Sequence, residues 1–417
     1  MKLRLRSSLT TWILISMVVG ALFGYLWPHA AAHVQVLSQI FLRLIKVIIA
    51  PLLFATLVSG IARHSDLKQL GRMGLKAIIY FELVTTAALF IGLAAINISR
   101  AGEGVQAATT SSSGAAPSSG AARPSGAQVV LNAFPENIAK SVAEGQVLQV
   151  VVFSILFAIA LALVPVEKRA PMLNFCESLA EVMFRFTNII MLYAPIGVGA
   201  AIAFAVSQGG VNVLGSLAKL VATLYVALAG FLVLVLFPVA LLVRVPLKRF
   251  VKAAAEPVSI AFGTASSEAA LPRAMEAMEA IGVPRQVAAF VIPAGYSFNL
   301  DGSTLYLSLG AIFVAQVAGI HLTLHQQLAI MLTLLLASKG VAGVPKGSYV
   351  ILLASVDSFG LPVAPVLLLL AVDQIMDMAR TATNVLGNCL ASVVVARWER
   401  VFGTETDSPA ALEATTQ

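Results

Sequence analysis

Charge is scarce in this chain of 417 residues: 11% are Asp, Glu, Lys or Arg, where soluble domains hold about a quarter. That shortage excludes an ordinary soluble protein. Only two cysteines occur, Cys176 and Cys389, too few and too far apart for a disulfide framework or a metal cluster, and both read as packing residues. The five histidines, His29, His33, His64, His321 and His325, fall in loops or at the ends of apolar runs. A histidine relay inside a membrane is therefore excluded, as is a serine protease built on Ser266 or Ser267, which would need a base. Gly340 to Ser348 passes near a phosphate-binding loop, but Pro345 stands where that loop needs glycine, so an ATP-driven pump is not indicated.

What is abundant is apolar: 59% of residues are hydrophobic and the mean hydropathy is +0.91. At about 20 residues per crossing, this composition predicts an all-α membrane protein. Apolar runs occupy 9–27, 34–62, 73–98, 147–164, 179–206 and 213–243. The first follows Lys2, Arg4 and Arg6, yet exceeds a signal-peptide core and reads as a retained span. Its Gly20 and Gly24 sit at GxxxG spacing and read as close packing rather than a dimer motif. The net charge of +7 does not point to nucleic acid, because the basic residues flank apolar runs instead of lining one soluble face. They alternate along the chain. Arg63, Lys68, Arg72 and Lys76, then Lys168 and Arg169, then Arg244, Lys248, Arg249 and Lys252 mark one side, while the connections around 28–34 and 207–213 hold none. The positive-inside rule puts both termini in the cytoplasm. Residues 107–128, almost wholly Ala, Ser, Thr, Gly and Pro, read as a flexible outer loop.

Beyond residue 250 the clean runs break up in a repeated way. Two apolar stretches too short to cross surround Gly263 to Glu268 and Ser338 to Pro345, and each reads as a re-entrant hairpin. A long apolar segment with a polar interruption follows each, at Ser297 to Gly302 and at Asp373 to Asn388. Paired broken helices in corresponding positions point to a transporter built on inverted repeats. In the last segment Asp373, Asp377, Arg380, Asn384 and Asn388 project to about 0°, 40°, −20°, 20° and 60° at about 100° per residue. Such a polar stripe inside a span must face protein, water or ligand. Arg380 offers a planar fork for a carboxylate, and Asp377, one turn away, can accept from an ammonium. Together they predict an acidic amino acid as substrate, over a C4-dicarboxylate whose charge Asp377 would repel, and over an anion channel. Ser266 and Ser267 at one hairpin tip suit an α-carboxylate. Asn299, Asp301, Thr85 and Thr86 supply oxygen ligands for a hard cation, although threonine hydroxyls commonly bond their own helix. Glu82, Glu268 and Asp301, acidic groups in apolar settings, are the candidate proton carriers. An aspartyl protease pairing Asp301 with Asp373 would leave Arg380 and the hairpins without a role, so no enzyme is expected.

These motifs, Ser266-Ser267-Glu268-Ala269-Ala270-Leu271-Pro272, Asn299-Leu300-Asp301-Gly302, Gly340-Val341-Ala342-Gly343-Val344-Pro345 and Asp377-Met378-Ala379-Arg380-Thr381-Ala382-Thr383-Asn384, resemble those of the dicarboxylate/amino acid:cation symporters, the glutamate transporter family, in its bacterial glutamate/aspartate branch. The resemblance covers nearly the whole chain. It implies eight transmembrane helices, two re-entrant hairpins and an elevator fold, assembled as a homotrimer in the bacterial inner membrane. Scaffold segments would be 1–72 and 147–208; transport segments would be 73–99, 209–249 and 250–400; the outer loop would be 100–146 and the cytoplasmic tail 401–417. Carried onto this chain, the family's substrate contacts fall on Ser266, Ser267, Ser303, Val341, Gly343, Pro345, Asp377, Arg380, Thr381 and Asn384. Its cation ligands fall on Thr85, Thr86, Asn299, Asp301, Asn384 and Asn388, with H+ or Na+ co-transported and no bound cofactor. Three positions depart from the pattern. Asn388 stands where sodium-coupled relatives usually carry aspartate, Leu307 where the mammalian branch has a glutamate, and Lys346 where a small residue is frequent.

Overall fold

The computed structural model describes residues 9–62, 67–103, 134–144, 146–210, 212–338 and 347–403. Residues 107–128, Lys2, Arg4, Arg6, Arg63 and the second hairpin's Val341, Gly343, Pro345 and Lys346 lie outside them. The described residues form helices and no strand. Two compact units emerge, one of residues 1–65, 92–224 and 306–376, the other of residues 66–91, 225–305 and 377–417.

The first unit holds α1 (Leu9–Leu26), α2 (Pro28–His33), α3 (Gln35–Ala62), the end of α4 (Leu67–Ser99), α5 (Ile138–Ala143), α6 (Val147–Leu163), α7 (Val166–Met191), α8 (Ala194–Gly209) and the start of α9 (Asn212–Phe231). In it α1 lies against α8. A Cβ on Gly20 or Gly24 would strike the carbonyl oxygen of Gly199 or Ala203, so the GxxxG pair serves close packing within the chain. Cys176 is buried with Val58, Ala62 and Ala158, and neither it nor the buried Cys389 forms a disulfide. The run expected at 179–206 is not one straight span. It divides into α7 and α8, which meet at 49° beside Pro195, whose ring and missing N–H break the ladder.

In the second unit α9 runs into a π-turn at Leu232–Leu236 and then α10 (Phe237–Leu242). The Phe237 N–H reaches back five residues to the Leu232 carbonyl, a widened turn just ahead of Pro238, which has no N–H to give. Next come α11 (Leu247–Thr264) and α12 (Ser267–Ala280), the two arms of the first expected hairpin. Their turn has Ala265 in the left-handed region, φ 50°, and Ser266 as N-cap, its Oγ accepting from Ala269 N at 3.3 Å. Then follow α13 (Arg285–Phe298), the break at Asn299 and Leu300, and α14 (Asp301–Val317), whose later residues fall in the first unit with α15 (Leu324–Ser338) and α16 (Gly347–Ser355). The final α17 (Val366–Trp398) passes from the first unit to the second between Met376 and Asp377.

Three helical stretches among the described residues are long and apolar enough to cross a bilayer alone: Arg72–Ser99, Asn212–Leu242 and Arg285–Val317. Helix α17 has 33 residues, about 50 Å at 1.5 Å each. It falls outside that group although it is long enough, since Asp373, Asp377 and Arg380 interrupt its apolar half. This charge-interrupted helix carries the candidate site.

Candidate functional site

The site residues of the second unit gather where α13, the break and α14 meet α17. This approach depends on missing side chains. A Cβ on Gly295 would collide with Asn388 Oδ1, and one on Gly387 with Asp301 Oδ2, so each glycine leaves room for a polar group of the opposite segment.

At the break, α14 begins at Asp301 with Leu300 in the capping position, and leucine has no side-chain acceptor for the first orphan N–H groups. Asn384 of α17 supplies it. Its Oδ1 accepts from Gly302 N at 2.8 Å and Ser303 N at 3.4 Å, while its Nδ2 donates to Ser303 Oγ at 3.1 Å. One turn further along α17, Asn388 Oδ1 accepts from Asn299 Nδ2 at 3.0 Å, and the same Nδ2 lies 3.3 Å from Asp301 Oδ2. Asn299, Asp301 and Asn388 are all fully buried. Asn299 Oδ1 and Asn388 Nδ2 have no hydrogen-bond partner among the described residues, which leaves oxygen and amide capacity inside the cluster. The buried Tyr80 of α4 lies within electrostatic reach of Asp301.

One turn the other way, Arg380 Nη2 donates to Asp377 Oδ1 at 2.7 Å, with side-chain exposures of 1% and 14%. Thr381 Oγ1 lies 3.4 Å from the same oxygen. The two charges predicted to receive a substrate's carboxylate and ammonium thus hold one another, a pairing that makes a buried guanidinium tolerable. Sequence reasoning treated the five-residue stripe as a single set. In the structure Asp373, fully buried, falls in the first unit and the other four in the second.

The remaining predicted residues are less centrally placed. Thr85 is buried and donates to the Phe81 carbonyl of its own helix at 2.6 Å, and Thr86 is half-buried. Ser266 caps α12 and Ser267 begins it; no hydrogen bond among the described residues ties either to the Asp377 to Asn384 group. Glu82 is half-buried and Glu268 exposed, whereas Asp301 lies inside the polar cluster. Among the described residues no three His, Cys, Asp or Glu side chains are grouped to hold a metal.

A second constellation escaped the sequence reading. Glu399, just past α17, pairs with Arg72 at 2.6 Å and Lys76 at 2.8 Å of α4, and Lys76 also donates to the Trp398 carbonyl at 2.8 Å. The Lys76 ammonium, then Arg72, holds the Glu399 carboxyl below its ordinary value. Gly403 N donates to Gly282 O at 2.8 Å and Arg397 Nη2 to Arg244 O at 3.3 Å. The end of α17 and the residues just after it therefore tie together the ends of α4, α10 and α12. Partners 327 residues apart leave no spacing signal.

A helical membrane protein with a buried ion pair and a polar break facing it has the make-up of a solute carrier. A family model described as the sodium:dicarboxylate symporter family matches residues 9–398. The chain belongs to that family. It is 43% identical over 397 residues, 94% of each chain, to a proton/sodium-glutamate symport protein of Bacillus caldotenax. It is 43% identical over 412 residues, 95% of this chain and 94% of the other, to a proton/glutamate-aspartate symporter of Escherichia coli strain K12. A C4-dicarboxylate transport protein of Anaeromyxobacter sp. strain K is also 43% identical, over 400 residues, 95% and 91% of the two chains.

Proposed function

We propose that the chain takes up glutamate or aspartate together with H+ or Na+. The observation that carries this reading is the Arg380–Asp377 pair at 2.7 Å. A ligand bearing both a carboxylate and an ammonium can replace each partner for the other and leave no buried charge alone. A dicarboxylate would satisfy Arg380 and leave Asp377 facing a like charge. Relatives named for glutamate and for C4-dicarboxylates are equally identical to this chain, so identity does not choose between them and Asp377 does.

In this reading Thr381, Asn384 and Ser303 contact the substrate, with Ser266, Ser267 and the backbone of Val341, Gly343 and Pro345 closing over it. Asn299, Asp301 and Asn388, with Asn384, Thr85 and Thr86, take the cation, and Asp301 carries a proton in preference to the exposed Glu268 and half-buried Glu82. Eight spans and two hairpins form an elevator, three copies make the assembly, and both termini face the cytoplasm of a bacterial inner membrane. The test is uptake of radiolabelled glutamate, aspartate and succinate into liposomes under separate sodium and proton gradients. Glutamate or aspartate should dominate under at least one gradient; dominant succinate uptake would refute the assignment. Current without accumulation would indicate a channel. Loss of proton-driven uptake in Asp301→Asn, with Glu82→Gln and Glu268→Gln active, is the result expected for the carrier.

A further inference from the structure

The end of α10 and the start of α11 bring a group of cations to an exposed apolar edge, and beyond marking the cytoplasmic side they have no task in the transport reading. Arg244, Lys248, Arg249 and Lys252 are all exposed. Within α11 the buried residues Phe250, Ala254, Pro257 and Ala261 centre on about 210° when Lys248 is set to 0° at about 100° per residue. On the same scale Lys248, Arg249 and Lys252 fall at about 0°, 100° and 40°, opposite the buried face. The carboxylate best placed to neutralise them, Glu256 one turn beyond Lys252, instead pairs with Arg273 at 3.5 Å. No ion pair among the described residues involves Lys248, Arg249 or Lys252.

Apolar surface adjoins these charges. Leu242, the last residue of α10, is 82% exposed, and Leu241 and Val251 are exposed as well. Leu241 and Leu242 end the Asn212–Leu242 stretch, which is long and apolar enough to cross a bilayer, and Val251 lies on α11 just beyond it. Immediately beyond it Arg244 takes a left-handed backbone, φ 55°, and Val245 N closes the helix by donating to Ala240 O at 2.9 Å. Arg397 adds a fifth cation by donating to the Arg244 carbonyl, and its guanidinium is held 4.2 Å over the Phe402 ring. Cations clustered where an apolar helix leaves the hydrocarbon layer, beside exposed leucine and valine, match a ligand with a phosphate head and acyl tails. Free phosphate has no use for the apolar edge, and nucleic acid or an acidic protein has none for a site at the end of a span.

We infer that Arg244, Lys248, Arg249, Lys252 and Arg397 form a binding site for the headgroup of an anionic phospholipid, whose chains lie along Leu241, Leu242 and Val251. This site is independent of the substrate assignment and stands or falls separately.

The test measures retention of phosphatidylglycerol and phosphatidylcholine by the detergent-purified full chain, using native mass spectrometry. Wild type should retain phosphatidylglycerol preferentially, and the triple variant Lys248→Gln/Arg249→Gln/Lys252→Gln should lose about tenfold or more of that retention. Equal retention by the two proteins would overturn the site. Should the triple variant fail to fold, the unmodified chain decides: a photoactivatable phosphatidylglycerol should crosslink to peptides covering 241–252 or Arg397, and crosslinks confined to other regions would overturn the proposal. Displacement of the lipid by inorganic phosphate alone would make this a free-anion site and overturn the lipid assignment. Displacement by an acidic peptide or oligonucleotide, but not by a second anionic lipid, would overturn it equally.

Discussion

Two charged clusters of the second unit have nearly identical pair distances and differently solvated cations. Arg380 lies 2.7 Å from Asp377, with side chains 1% and 14% exposed; Arg72 lies 2.6 Å from Glu399, with side chains 78% and 10% exposed, so the two clusters differ in the solvation of the cation and not of the carboxylate. Distance alone would rank them equal. In the second cluster water and salt compensate Arg72 when its partner leaves, and Lys76 remains beside Glu399 when Arg72 does, so each such pair contributes about 0–1 kcal/mol. In the buried pair water does little to replace a lost partner, and removing one charge costs about 3–5 kcal/mol although the intact pair adds little net stability. The buried pair is thus suited to being exchanged against a ligand that carries both charges, and the exposed cluster to lacing helix ends at small cost.

The largest expected effect comes from breaking the buried pair on one side. Arg380→Ala should abolish acidic amino-acid uptake and destabilise the purified chain by about 3–5 kcal/mol, measured by radiolabel uptake and by thermal unfolding in detergent. If the variant were as stable as wild type, the contrast between the clusters would fail. Asp377→Asn, which keeps shape and removes charge, should reduce glutamate and aspartate uptake far more than succinate uptake in competition assays. Asn388→Ala leaves the Asn299 amide short of a buried acceptor and should cost about 1–3 kcal/mol, with an altered cation dependence of uptake. Ser266→Ala removes the α12 cap and should cost about 1 kcal/mol, read from the same unfolding curves.

The smallest effect belongs to the exposed cluster. Glu399→Gln should shift stability by no more than about 1 kcal/mol. Because Lys76 and Arg72 hold the folded-state Glu399 carboxyl below its ordinary value, its contribution is complete above the unfolded value and is lost as pH falls through the folded one. The difference between wild type and Glu399→Gln should therefore vanish in acid and shrink with added salt. A difference that persists at high salt would show this cluster to be less exposed to solvent than its surface position implies.

How far the sequence could be read follows from how local each signal is. The hairpin turn at Ala265 and Ser266, the helical class and the shared face of Asp377, Arg380, Asn384 and Asn388 are written in spacings of a few residues, and the structure reproduces them. The bend beside Pro195 was available from proline chemistry, but the continuous apolar run around it hid the break. Gly295 and Gly387 were legible as glycines and not as vacancies, because what each makes room for lies on another helix. Glu399 carried no signal, since its partners are more than three hundred residues away. Asn384 was read only as a ligand contact; that it also caps α14 depends on Leu300 being unable to do so, which shows only after the chain has folded back on itself.

That capping has a consequence for coupling. The Asn384 amide is occupied at both ends, one atom on the first N–H groups of α14 and the other on Ser303 Oγ, so its orientation is set before any ligand arrives. On the proposed site assignment, a substrate that drew either atom away would loosen the turn that presents Asp301, and a cation that tightened that turn would fix the amide for the substrate. Both proposed sites would then draw on the same few hydrogen bonds, and by thermodynamic reciprocity whatever factor one ligand gained from the other would be returned in full.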